Sequence, residues 1–226
     1  DDLLARGIEP MVCLYHFDMP LALAQEYNGF NDRRVVDAFI RYGKKMIDCF
    51  ADRVKYWLTF NEQNIFHMPE AFRISGYMKG EQTLRELYEL QHHAMVAHMT
   101  LTEYLHQTKP GKLMGGMLAH QLIYPATCKP RDIFCAQQYD EFLNQNLLRV
   151  FAGQGYSPAV MAVVEQEGFG DIYRADDLAL FARTKNDFMA FSYYASKTLD
   201  SDAIPEGTPV NYYLLHGEKN NPYLKA

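Results

Sequence analysis

Short apolar runs alternate along the chain with longer stretches whose apolar residues recur every three or four positions. Ile8 to Tyr15 (IEPMVCLY) predicts a strand, and Pro20, just beyond it, stops that strand or opens a helix. Tyr27-Asn28-Gly29-Phe30 reads as a turn and Asn31 as the cap of a helix. Val36, Phe39, Ile40, Gly43, Met46, Ile47 and Phe50 give that helix its apolar face and carry it to Ala51. Arg53 to Glu62 (RVKYWLTFNE) is an aromatic-rich run that ends abruptly in an amide and a carboxylic acid. Strands buried on both faces of a parallel sheet have this near-continuous apolar character.

Pro69, Gly76 and Gly80 mark the stretch from Met68 to Gly80 as a loop. A long helix is expected from Glu81 to Gln107, striped by Leu84, Leu87, Tyr88, Met95, Leu101 and Leu105 and broken by Lys109-Pro110-Gly111. Lys112 to Leu118 predicts a third strand, whose Gly115 and Gly116 permit close packing. After a loop from Tyr124 to Pro130, helices are expected over Arg131 to Asn144, Asn146 to Phe151, Pro158 to Glu167 and Asp176 to Arg183. Phe188 to Tyr194 is a fourth strand, and beyond Ala195 the chain reads as an irregular tail. Alternation of strand and helix means a parallel sheet joined by right-handed crossovers. The pattern alone leaves open whether that sheet is flat-edged or part of a closed barrel.

Composition changes this picture little. The 226 residues are 48% hydrophobic and 22% charged, enough for a sizeable core. No apolar run is long enough for a membrane helix, and Asp1-Asp2 is the wrong start for a signal peptide. A formal net charge of -6 with interspersed signs argues against a nucleic-acid surface. Cys13, Cys49, Cys128 and Cys135 are scattered, three of them in apolar stretches, and are expected to be reduced; a cytoplasmic location fits.

Each predicted strand closes on polar groups: His16 and Asp18, Asn61 and Glu62, His120 and Gln121, Ser192 and Tyr194. In a closed βα barrel such ends share one mouth, where the chemistry of that fold sits. Taken singly, His16 reads equally as a satisfied core histidine. Asn61 and Glu62 could cap the next helix, and Ser192 to Tyr194 could be a wet strand end. A carboxyl group at a strand end among aromatics has the setting a general acid needs, because desolvation favours the neutral form. Glycosidic cleavage requires such an acid and a second carboxylate, roughly 5–5.5 Å away in a retaining enzyme. Asp18 is a weak candidate for the second. His92, His93 and His98 lie on the long helix without an HExxH pattern, so a packed or solvated helix face is the better reading and no metal is expected. No phosphate loop, dinucleotide fingerprint or nucleophile elbow is present, and no cofactor is expected.

Thr59-Phe60-Asn61-Glu62 resembles the TFNE-type motif of family 1 glycoside hydrolases. Leu14 to Pro20 is similar to that family's LYHWDxP-type motif with Phe17 in the Trp position, and Ser192-Tyr193-Tyr194 to its Asn-x-Tyr strand end with Ser in place of Asn. The likeness runs from the first residues to Asn221-Pro-Tyr-Leu-Lys225. Phe191 to Tyr194, Gly116 to Ala119 and Ile123 to Pro125 followed by Cys128-Lys-Pro130 resemble the bacterial 6-phospho-β-glucosidases. The resemblance implies a (β/α)8 TIM barrel, a retaining mechanism and a phosphorylated β-glucoside as substrate. It implies Glu62 as general acid/base, Asn61 and His16 as holders of the sugar's 2- and 3-hydroxyls, and Tyr194 as the residue that orients the nucleophile. Ser192 leaves its own position without an implied role. The family's (I/V)TENG motif, which carries the nucleophile, does not occur in these 226 residues, nor does the phosphate-binding loop. The resemblance therefore implies one partial barrel domain over residues 1–226, with strands three to six and their helices. It would be inactive alone and prone to self-association through two unpaired edges. The competing expectations are a catalytically dead carbohydrate-binding or scaffold module, and an open-sheet α/β protein unrelated to glycosidases.

Overall fold

The computed structural model describes residues 1–221 and Tyr223, so Pro222, Leu224 and Lys225 of the family-like C-terminal stretch lie outside the described residues. A short helix α1 (Asp2–Ala5), not expected from the pattern, precedes β1 (Met11–Tyr15), α2 (Leu21–Tyr27), α3 (Arg33–Phe50) and β2 (Tyr56–Phe60). Then come α4 (Leu84–Thr108), β3 (Leu113–Ala119), β4 (Ile123–Pro125), α5 (Pro130–Asp140), α6 (Asn146–Phe151) and α7 (Pro158–Gln166). The chain continues with α8 (Ala175–Arg183), β5 (Phe188–Ser192), β6 (Lys197–Leu199) and α9 (Tyr213–Gly217).

Four strands form one sheet in the order β1-β2-β3-β5, every neighbouring pair parallel. A doubly wound sheet reverses its strand order at a switch point; this one runs in a single direction, as the wall of a βα barrel does. The glycines of β3 make that wall close-packed. A Cβ on Gly115 would fall 2.3 Å from the ring of Phe188 on β5, and one on Gly116 would fall 2.6 Å from the ring of Phe151 on α6. Strand neighbour and covering helix thus both press on backbone. Gly43 does the same for the helices, since a Cβ there would lie 2.4 Å from Leu101 and hold α3 away from α4.

The core lies between the sheet and its helices. Trp57, the single tryptophan, is fully buried there and donates from Nε1 to the Val54 carbonyl at 3.3 Å. Polar pairs tie the helices together. Asp177 of α8 accepts hydrogen bonds from both terminal nitrogens of Arg33 on α3, and its Oδ2 lies 3.1 Å from His92 Nε2 on α4. Burial alone would raise the Asp177 carboxyl, but the bonds from His92 and Arg33 hold it well below the usual carboxylate range. His98 is buried between Thr59 Oγ1 (2.6 Å) and Asn186, and burial lowers it to about 4. His92, His93 and His98 are packed side chains, and no metal-binding group of His, Cys, Asp or Glu occurs among the described residues.

Several local expectations need correction. The cap of α3 is Asp32, whose Oδ1 accepts from the Arg34 amide at 2.8 Å, one residue after Asn31. The long helix starts after Thr83, which shares a reciprocal capping box with Glu86, not at Glu81. No break occurs at Gln145: a π-helical stretch, Glu141–Gln145, joins α5 to α6. The loop after β3 and the tail after Ala195 are partly regular, because β4 and β6 pair as a small parallel sheet. All four cysteines are free; Cys135 is buried, whereas Cys49 and Cys128 are exposed. No described helix is long and apolar enough to cross a membrane.

Candidate active site

Parallel strands in sequential order put all four C-terminal ends on one edge of the sheet. β2 delivers Asn61 and Glu62 there. The Asn61 amide donates to the Tyr15 carbonyl at 2.9 Å, extending the β1–β2 ladder one residue past the strand. Glu62 then turns into the left-handed region, with φ 45° and ψ 47°. Only three non-glycine residues among those described have positive φ, and two of them, Phe17 and Glu62, each lie two residues past the ends of β1 and β2. A non-glycine residue in this region costs on the order of 1 kcal/mol and persists only where its surroundings impose it.

Asn64, fully buried two residues on, imposes it. Its Nδ2 donates to the carbonyls of Ala119 (3.0 Å) and Leu143 (3.1 Å), and its Oδ1 accepts from the Ala119 amide at 2.8 Å. One amide side chain therefore pins the Glu62 turn to the end of β3 and to the π-helical stretch. Residues beyond the turn are equally fixed: His67 is buried and stacked on Phe142 at 3.9 Å, and burial lowers it to about 3.

The Glu62 carboxylate is buried (6% exposed) and accepts a hydrogen bond from the Tyr194 hydroxyl at 2.6 Å, across the intervening strand β3. Glu62 occupies the capping position of the short turn Gln63–Ile65 but makes no side-chain cap bond, so its carboxylate is directed elsewhere than the helix-cap alternative requires. Tyr194 is 74% exposed, and its ring stands at the open edge of the sheet. Asn61 is buried beside Glu62. His16 reaches the same edge from β1 but is exposed, its ring edge-on to Phe17 at 5.1 Å, with no side-chain hydrogen bond among the described residues. His120 meets β5 through its amide, which donates to the Ser192 carbonyl at 2.8 Å. The strand ends thus bring Glu62, Asn61 and Tyr194 together and leave His16 nearby and unengaged. Within this chain the partner of Tyr194 is Glu62. Clefts of about 340 and 350 Å³ lie beside Phe142 and beside His120, and neither includes Glu62.

A buried carboxyl group with a phenolic donor, an adjacent amide and an open edge can exchange a proton with an oxygen of a polyol ligand. Asn64 was not anticipated as a positioning residue. Its partners lie 55 and 79 residues away in sequence, and nothing local marks them.

The family model for glycosyl hydrolase family 1 matches residues 1–222. The 6-phospho-beta-glucosidase AscB of Escherichia coli (strain K12) is 36% identical over 222 residues, 97% of this chain and 46% of that protein. The aryl-phospho-beta-D-glucosidase BglA of Bacillus subtilis (strain 168) is 34% identical over 235 residues, 100% of this chain and 48% of that protein. Among solved structures, the AHE enzyme from Alicyclobacillus herbarius aligns with a TM-score of 0.79 at 25% identity, covering 96% of this chain and 47% of that one. The GH1 beta-glucosidase from Exiguobacterium antarcticum B7 aligns at 0.81 and 22% identity, covering 98% and 48%, and shows the fold alone. The chain belongs to glycosyl hydrolase family 1, and its fold is a partial (β/α)8 barrel. It spans about half the length of the curated relatives it matches.

Proposed function

We propose that this chain carries the acid/base portion of a retaining glycosidase that cleaves 6-phospho-β-glucosides. Glu62 protonates the departing glycosidic oxygen and then takes a proton from water. Asn61 and His16 hold hydroxyls of the sugar, and Tyr194 orients the groups around the reacting carbon. The hydrogen bond from Tyr194 to Glu62 carries the reading, because it joins two separately recognised strand ends in one contact. The names of the relatives support the substrate class. A phosphorylated sugar made during uptake fits a cytoplasmic protein, and the net charge of -6 fits a small-molecule substrate better than nucleic acid.

The covalent step needs a carboxylate for which these 226 residues offer no motif, so the chain by itself is proposed to be inactive. The test is a graft of residues 1–222 in place of the matching segment of the Escherichia coli relative. The graft should hydrolyse an aryl 6-phospho-β-glucoside, the isolated chain should not, and Glu62→Gln should abolish turnover of a poor leaving group. With a dinitrophenolate leaving group, which departs without protonation, the glycosylation burst should survive Glu62→Gln. Equal turnover by the Glu62→Gln graft on both substrates would remove Glu62 from the acid/base role.

A further inference from the structure

A cleft of about 340 Å³ opens between α4, the junction of α5 with the π-helical stretch, α7 and residues 207–213. Its lining includes no residue of the edge strands β1 and β5, and none of Glu62, Asn61, His16 and Tyr194. Phe142, Val160, Val163 and Val210 give it apolar walls, and Glu141 and Glu167 give it two carboxylates. Neither carboxylate has an ion-pair partner among the described residues: Ser157 donates to Glu141 Oε1, and Glu167 is exposed with no side-chain hydrogen bond. Among the described residues no lysine, arginine or histidine lines the cleft. Arg131 acts on Tyr213 from outside the lining and donates to the Ile204 carbonyl at 3.4 Å. Tyr88 forms part of the wall and is 2% exposed, and its hydroxyl has no hydrogen-bond partner among the described residues. Burial raises that phenol, and the nearby Glu167 carboxylate adds to the effect. A buried hydroxyl without a partner is uncommon in a folded protein.

We propose that this cleft is a binding site for a small organic cation, a protonated primary amine carried on an apolar body. The ammonium group donates to the Glu167 carboxylate and to the Tyr88 hydroxyl oxygen, and Glu141 adds a second negative charge. The apolar body covers Val160 and Val163. An uncharged ligand leaves both carboxylates no better off than water does, and an anion is repelled by both. A phosphorylated sugar therefore has the wrong charge for this cleft. A bare metal ion is unsuited as well: no group of three His, Cys, Asp or Glu that could hold one occurs among the described residues, and apolar walls offer it no ligand. This inference rests on the charge and lining of the cleft and is independent of the proposed activity.

The experiment is a titration of the 226-residue chain with benzylammonium, followed by two-dimensional amide NMR. Benzyl alcohol and benzoate, of similar shape but neutral and negative, are titrated beside it. The expected result is saturable shifts at Tyr88, Phe142 and Val163, with a dissociation constant on the order of 1 mM, the affinity open to a ligand of so few atoms. Benzyl alcohol should bind at least tenfold more weakly, and benzoate should not saturate. Glu141→Gln combined with Glu167→Gln should weaken benzylammonium binding at least tenfold with unchanged circular dichroism. Ala159→Trp, at an exposed position of the lining, should block the cleft. Benzyl alcohol binding as tightly as the amine, saturable benzoate binding, shifts confined to other surfaces or no saturable shifts at all would overturn the proposal. So would unaltered affinity of the double variant and of Ala159→Trp. The comparison of the three probes needs no substitution, so it decides the matter even if a variant unfolds.

Discussion

Asn64 offers a direct test of how the Glu62 turn is held. Asn64→Ala strips the Ala119 amide of its acceptor and removes the donor to two carbonyls, all in a fully buried position. A buried polar group left without its partner costs about 1–3 kcal/mol, and the amide is the group with the least alternative, so the loss should be about 3 kcal/mol. With a urea slope near the top of the usual range, about 3 kcal/mol per molar, the unfolding midpoint should fall by about 1 M. Asn64→Asp preserves shape but turns an anion toward two carbonyl oxygens and leaves it unpaired. It should be worse than alanine, at about 3–5 kcal/mol, although it is nearly isosteric. Trp57 is the only tryptophan and lies on β2, so its fluorescence reports the strand that carries the site. If alanine shifts the midpoint by less than about 0.3 M, or aspartate is milder than alanine, the side chain does not hold the turn as argued.

Acid should unfold the chain early. Burial lowers His67 to about 3 and His93 and His98 to about 4, all from 6.5, so below pH 6.5 the unfolded chain takes up protons that the folded chain refuses. Stability from these groups is therefore complete above pH 6.5 and is lost as pH falls toward 4. Each ring is worth on the order of 3 kcal/mol over that window, which together exceeds the stability of many domains. Circular dichroism should show loss of structure above pH 4, and a fold intact at pH 3.5 would contradict the burial argument. Gly29→Ala should destabilise by at least about 2 kcal/mol in urea melts, because the residue has φ +63° and a Cβ would lie 2.2 Å from the Ser75 carbonyl oxygen. A neutral result there would mean the turn relaxes freely. Tyr194→Phe should change stability by less than about 1 kcal/mol, since the ring is largely exposed, yet lower turnover of the graft by at least tenfold. Equal turnover would separate the Tyr194–Glu62 bond from function.

How much of this molecule is legible from sequence depends on how local each cause is. β2 is readable because an apolar run that stops at Asn61-Glu62 has few other homes, and α7 because Pro158 opens it with Ser157 as its cap. The capping box at Thr83 and Glu86 is equally local, and an expected start at Glu81 passes over it. β4 and β6 are three residues each and are strands only because each has the other, so no periodicity could announce them. The site divides along the same line. Glu62 and Tyr194 are marked by position at strand ends, whereas the force that turns Glu62 into the left-handed region comes from Asn64 reaching β3 and the π-helical stretch. A π turn inserts one residue into a helix and rotates the helical turns beyond it. Here it presents the Leu143 carbonyl to Asn64, so the irregularity that blurs the helix pattern in sequence is also what the Glu62 turn leans on. Where a helix is long and carries an apolar stripe, as α3 and α4 do, its sequence suffices to find it; where it deviates to serve a distant side chain, the reason is written 79 residues away, in Asn64.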